Sequence, residues 1–166
     1  FRNVKYSFKI LFVFSNPSPR RLIEIENKIL EVLKTSGYYN RVNLFLKDFS
    51  KVTDNVRRIH EGENKVNVSQ QSLTKTESLF SQTTADQLAG SGLNETFITP
   101  VKTAINEAVT FGYSLSNTRE LLKEMVIGNP EKLGRLNSYL TNTARESVKN
   151  LQGAQHTQIK NALGLD

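Results

Sequence analysis

Residues 42–59 read VNLFLKDFSKVTDNVRRI, and the spacing of their apolar side chains decides the fold class. Val42, Phe45, Phe49, Val52, Val56 and Ile59 recur at intervals of 3, 4, 3, 4 and 3. Those intervals keep one face of an α-helix, whereas a half-buried strand would alternate. The stretch therefore predicts one helix with a narrow apolar seam and with Lys47, Lys51, Arg57 and Arg58 on its other faces. Two and a half heptads fall short of a coiled coil, but the narrow stripe suits packing between elongated helices.

The pattern continues on both sides of this stretch. Upstream, Ser18-Pro19 reads as a cap followed by Pro at the first helical position, where a missing N–H costs nothing. Leu22, Ile23, Ile25, Ile29, Leu30 and Leu33 then follow at helical spacing, and Gly37 is a left-handed stop. Further upstream, Val4, Tyr6, Phe8 and Ile10 alternate with polar residues before a continuous apolar run to Phe14. Residues 4–14 are expected to form one short β-strand, either against this chain's own helices or added to a partner's sheet. The run is far shorter than the roughly 20 residues that cross a bilayer. The first residue is Phe, which fits a processed chain or part of a longer one.

Downstream the composition changes. Between residues 64 and 96, 17 side chains are Ser, Thr, Asn or Gln. Leu73, Phe80 and Leu88 allow a helix from Ser72 to Leu88 that needs a neighbour to be ordered; the alternative is a linker. Ala89-Gly90-Ser91-Gly92 breaks the chain. Asn94 then caps a helix carrying Phe97, Ile98, Val101, Ile105, Ala108 and Val109, with Pro100 starting or kinking it and Gly112 ending it. Asn117 with Glu120 fits a capping box ahead of Leu121, Leu122, Met125 and Val126. Asn129 and Pro130 read as the cap and first residue of a last helix. Leu133, Leu136, Leu140, Ala144, Val148, Leu151, Gln155, Ile159 and Leu163 mark its stripe, and Gly164 stops it. At 1.5 Å per residue this helix would reach about 50 Å, long for a domain of this size.

The expected fold is mainly α: an elongated helical bundle with a long C-terminal helix and one short N-terminal β-strand. Three segments follow: a basic unit over residues 1–62, a polar helix or linker over 63–93, and a helical domain over 94–166. The seam residues Val42, Phe45, Phe49, Val52, Val56 and Ile59, with Leu136, Leu140, Val148 and Leu151, are the candidates for packing against other subunits.

Charge is split along the chain. Residues 1–62 hold 12 Lys/Arg and 6 Asp/Glu, so the whole net charge of +6 lies there, and residues 63–166 hold 10 of each. Arg20, Arg21, Lys47, Lys51, Arg57 and Arg58 are the candidate contacts to nucleic acid or to another acidic partner. The chain has no Cys, which excludes disulfides, thiolate metal sites and cysteine nucleophiles. Its only histidines are His60, beside Glu61 and Glu63, and His156, beside Gln155 and Gln158; both read as surface residues. Neither a phosphate-binding glycine loop nor a nucleophile elbow is present. No nucleophile–base–orienter set appears, so neither catalysis, nor a cofactor, nor a metal is expected.

Ala108, Gly112 and a polar start at Asn117 have helix-turn-helix spacing, which would offer Asn117, Thr118 and Arg119 to a major groove. Glu107, Glu120 and Glu124 surround them, where phosphate contacts need positive charge.

Three further stretches carry a resemblance. The first runs Ser91-Gly92-Leu93-Asn94-Glu95, Ile98-x-Pro100-Val101-x-x-Ala104-Ile105 and Gly112-Tyr113-Ser114. The second is Gly134-Arg135-Leu136-x-x-Tyr139-Leu140-x-x-x-Ala144-Arg145-Glu146-Ser147, and the third Asn161-Ala162-Leu163-Gly164-Leu165-Asp166. Together they resemble phage head-morphogenesis (minor head) proteins over about residues 88–166. The small β-containing module that follows the long helix in that family has no counterpart here. The resemblance implies a structural component of a phage virion, at or near the portal, that aids head assembly or DNA packaging and ejection. It implies portal or capsid subunits and packaged DNA as partners, several copies in a ring-like assembly, and a place in the virion after assembly in the host cytoplasm. The alternatives are a helical scaffold or adaptor of another multi-subunit apparatus, or a helix-turn-helix DNA-binding protein.

Overall fold

The computed structural model describes residues 19–64, 69–126, 128, 129, 131 and 133–164. They are mainly helical, and the one β-type contact among them is an isolated antiparallel bridge between Gly128 and Leu133. The expected strand over residues 4–14 lies outside the described residues.

Helix α1 spans Pro19–Thr35 and stops where the sequence predicts, with Gly37 in the left-handed conformation at φ 74°. The heptad seam does not form one helix. Helix α2 spans Tyr38–Lys47 and helix α3 spans Phe49–Asn64, with Asp48 between them. The Asp48 N–H bonds back to the Phe45 carbonyl at 3.1 Å, and the Asp48 carbonyl accepts from Lys51 and Val52. Such i→i+3 contacts tighten the turn and re-aim the next helix. The buried face of α3 is therefore Phe49, Thr53, Val56 and His60, while Val52 is half-buried and Ile59 is 46% exposed.

Helix α4 spans Gln70–Ala89, so the polar stretch is a helix and not a linker. Its neighbours come from its own chain: α2, α3 and the long last helix pack on it. At its C-terminal end, Tyr38 Oη donates to the Leu88 carbonyl at 2.6 Å and Tyr139 Oη donates to the Gln87 carbonyl. These hydroxyls satisfy carbonyls that a helix end leaves open. Gly92 makes the approach feasible, because a Cβ there would stand 2.8 Å from Tyr139 Oη and 2.7 Å from the Gln87 Cα.

Helix α5 runs without a break through Ser91–Leu93, a π-helical turn Asn94–Ile98, and Thr99–Thr110. Asn94 therefore stays within the helix instead of capping it, its backbone right-handed at φ −62° and ψ −49°. Pro100 lies in the first turn after the π segment and has no N–H to give to the carbonyl four residues back, that of Thr96. Arg135 Nε donates to that carbonyl instead, at 3.0 Å.

Helix α6 spans Leu115–Val126, and its cap is Ser114, whose Oγ accepts from the Asn117 N–H at 3.1 Å. Asn117 is thus inside the first turn. The last helix, α7, spans Arg135–Leu163, starting after the expected Asn129-Pro130 and ending at left-handed Gly164. Asn129 Oδ1 does accept from the Glu131 N–H at 3.0 Å, but it closes a turn. That turn folds back so tightly that a Cβ on Gly134 would meet the Val126 carbonyl carbon at 2.4 Å.

These elements make two zones. The apolar body gathers Ile25, Ile29, Leu33, Val42, Leu88, Phe97, Val101, Ile105, Leu122, Leu136 and Leu140. Glu26 of α1 and Lys102 of α5 pair across its surface. The other zone is the far end of a bundle of α3, α4 and α7, where the apolar cluster shrinks to Val56, Leu73 and Ile159 with Leu163 against it. Tyr139 meets Gln87 while Gln158 meets Thr76, so α4 and α7 are antiparallel.

Candidate functional site

Each predicted partner contact now has a place. Val42, Phe49, Val56, Leu136, Leu140 and Leu151 are each at most 4% exposed and are occupied by the chain's own core. This corrects their assignment to packing between subunits, since a side chain already closed in by its own fold has no face left to offer. Phe45 and Val52 are half-buried, and Phe45 packs edge-to-face on Phe49 with ring centroids 5.4 Å apart. Val148 is half-buried as well.

Of the basic candidates, Arg20 and Arg21 lie in the first turn of α1, and their side chains are outside the described residues. Lys51 pairs with Asp48 at 2.6 Å. Arg57 reaches Asp54 at 3.6 Å and Glu61 at 3.5 Å, so its charge is answered within α3. Lys47 and Arg58 are exposed. Lys51 and Arg58 stand two turns apart on one face of α3. At the α5–α6 turn, Asn117 and Arg119 are exposed and Ala108 is buried.

The feature largely missed in the sequence is the polar interior of the α3–α4–α7 end, of which Gln155 alone was placed on a stripe. Gln155 has no exposed surface; its Nε2 donates to Thr53 Oγ1 at 2.8 Å and to the Leu73 carbonyl at 3.4 Å. Its Oε1 is buried and has no partner. One turn on, Gln158 accepts from Thr76 Oγ1 at 2.8 Å and donates to Ser72 Oγ. His60 is buried at 5% exposure, not on the surface, and its Nε2 stands 2.7 Å from Nδ1 of half-buried His156. The apolar rule picked Val52 and Ile59 for the α3 interior and could not pick Thr53 and His60. The usable signal was their own spacing, Phe49, Thr53, Val56 and His60 at 4, 3 and 4, matched by Ser147, Leu151, Gln155 and Ile159 at intervals of 4.

The two ring nitrogens are at hydrogen-bond distance. Two ligands of a tetrahedral zinc, each about 2.0–2.1 Å from the metal, would stand roughly 3.3 Å apart. Among the described residues no group of three or more His, Asp or Glu could hold a metal ion. No helix among them is long and apolar enough to cross a membrane.

A shallow cavity of about 650 Å³ opens between α6, the 128–134 turn and the start of α7. Leu121, Met125 and Leu133 line it with Glu124, Arg135 and Tyr139. Burial pushes the hydroxyl of Tyr139 above the usual phenol range, and that of Tyr38 further, with the charges of Tyr139 and Tyr39 adding to the latter. Both therefore stay neutral donors to the α4 carbonyls. Asp86, at the same break, is held below the usual carboxylate range by the Ser91 hydroxyl and then by the Ser91 N–H.

Compared with protein-family models, curated proteins and solved structures, the chain matches none.

Proposed function

We propose that this chain is a helical structural component of a phage virion, a minor head protein at or near the portal that aids head assembly or DNA packaging and ejection. The resemblance of residues 88–166 to head-morphogenesis proteins supports the reading. The observation that carries it is the polar interior of the α3–α4–α7 end, where Thr53, Gln155, Gln158, His60 and His156 hold three helices together. Buried polar groups in a helical bundle give up stability and fix register and partner choice. An end closed in this way suits a part that is positioned among other subunits. Large apolar side chains also remain exposed, with Phe111 at 72% and Tyr113 at 52% at the tip between α5 and α6. In this reading several copies sit in a ring against portal or capsid subunits. Exposed Lys47 and Arg58, with Lys51 beside its partner Asp48, are the basic side chains that would meet packaged DNA or an acidic protein face.

Sedimentation of particles from phage-producing cells that express the tagged chain tests the assignment. The chain is expected in the particle fraction at a fixed copy number above one; its presence only as free protein would overturn the reading. For the basic surface, neutralising Lys47, Lys51 and Arg58 together should lower the salt slope of DNA association by about 2–3. An unchanged slope removes the DNA contact and leaves an acidic protein face as the partner.

A helical scaffold of another multi-subunit apparatus is the second reading. The same polar-cored bundle favours it, and recovery of the chain in a stable complex without head proteins would select it.

A further inference from the structure

Helix α6 has an apolar projection at one end and an apolar recess at the other. At its start, the turn from α5 carries Phe111 at 72% exposure and Tyr113 at 52%. The backbone closes that turn. The Tyr113 N–H bonds to the Ala108 carbonyl at 2.8 Å, and the Gly112 N–H bonds to the Val109 carbonyl at 3.1 Å. Gly112 is left-handed at φ 68°, as such a paired helix end requires, and the Ser114 cap of α6 follows at once. The two aromatics therefore stand on a fixed support, and little freedom is lost when they meet a partner.

At the other end of α6, Leu121, Met125 and Leu133 line the shallow cavity of about 650 Å³, and Leu133 is 58% exposed. That volume falls within the span of about 300–1,000 Å³ that takes small ligands, so an aromatic side chain fits. The 12 residues of α6 rise about 18 Å, so a tip cannot reach the cavity of its own chain. A second copy can bring its tip there, and every copy then offers one tip and one cavity.

Charge supports this occupant. Arg135 lines the cavity, and its Nε is held by the Thr96 carbonyl, which leaves the two terminal nitrogens as its outward donors. Glu107, one turn before Phe111, and Glu120 stand exposed beside the tip and are the anions such a guanidinium takes. Glu124 also lines the cavity, so the charge match orients the contact and the aromatics carry it.

We propose that copies of this chain join head to tail, with the Phe111–Tyr113 tip of one seated in the cavity between α6, the 128–134 turn and α7 of the next. Such a contact uses two different surfaces, so it repeats from copy to copy and closes into a ring or continues as a filament. This goes beyond the virion assignment, because the contact forms in the purified chain without other head proteins. Its failure would leave the particle test of that assignment as it stands.

Sedimentation of the full chain from about 10 μM to about 1 mM covers the affinities of small, transient contacts. The average mass should rise with concentration. Phe111→Ser/Tyr113→Ser and Leu133→Asp, all at exposed positions, should each lower the association constant at least about ten-fold. An equimolar mixture of the two variants keeps one intact tip and one intact cavity, so it should recover association and stop at the dimer. Met125 is the only methionine of the chain, so the resonance of its methyl group reports on the cavity in the unaltered protein. That signal should move upfield with concentration as an aromatic ring covers it, and stay still in the tip variant. A chain that remains monomeric, variants that still associate, or a mixture that does not recover overturns the contact. So does a Met125 signal that ignores concentration, the result expected if another segment of the same chain fills the cavity.

Discussion

Gln155 is closed off between Thr53 and Leu73 with one end of its amide bonded and the other orphaned. A buried acceptor without a donor forfeits its hydration, about 1–3 kcal/mol. Gln155→Met keeps the volume and removes the orphan, so it should be neutral or stabilising by up to about 1–2 kcal/mol. Gln155→Ala leaves a cavity and should cost about 2–3 kcal/mol. Urea unfolding of the two variants checks both signs. Arg135 gives a second test. Its guanidinium serves the Thr96 carbonyl because Pro100 cannot. Arg135→Ala should cost about 1 kcal/mol in the native chain and clearly less in a Pro100→Ala background, where a backbone N–H can take over. A double-mutant cycle that shows no coupling would refute the substitution of one donor for the other.

The elements show where sequence reading succeeds and where it stops. Pro19, Gly37, Gly112 and Gly164 were legible because each acts through its own backbone: a missing N–H, or a positive φ that other residues avoid. The break at Asp48 was not legible, since a 3-4-3-4 apolar seam runs straight through it and only contacts with α4 and α7 decide which face turns inward. Asn117 and Asn129 were read as caps from correct local chemistry. Ser114 had the same chemistry and the better position, and Asn129 spent its side chain on a turn. At the candidate site, Gln155 was legible from its place on the α7 stripe, whereas its partner Thr53, and His60, were invisible to any rule that assigns the inside to apolar side chains. Gly134 belongs here as well, because its need is long-range: the turn folds it onto the backbone of Val126 and Gly128. Gly134→Ala should therefore cost about 3 kcal/mol or more, above the usual range for added core methyls, since backbone and not a flexible side chain must move. Thermal melting compares it with Gly153→Ala, where a Cβ meets nothing within 4 Å and the helix should gain slightly.

The described chain divides into an apolar body and a polar-cored end, with α4 and α7 running through both. The body holds the large buried side chains of α1, α5 and the first half of α7. The end is held by a few amide, hydroxyl and imidazole contacts, each contributing only about 0.5–1.5 kcal/mol net. Stability should be correspondingly uneven, with the end opening in a sub-global step before the body. Residue-resolved native-state hydrogen exchange measures this directly. Amides of residues 56–62, 72–78 and 155–162 should exchange at least about ten-fold faster than those of 25–33, 101–108 and 136–148, at a common opening free energy below the global value. Equal protection along the whole of α7, or a body that exchanges before the end, would contradict it.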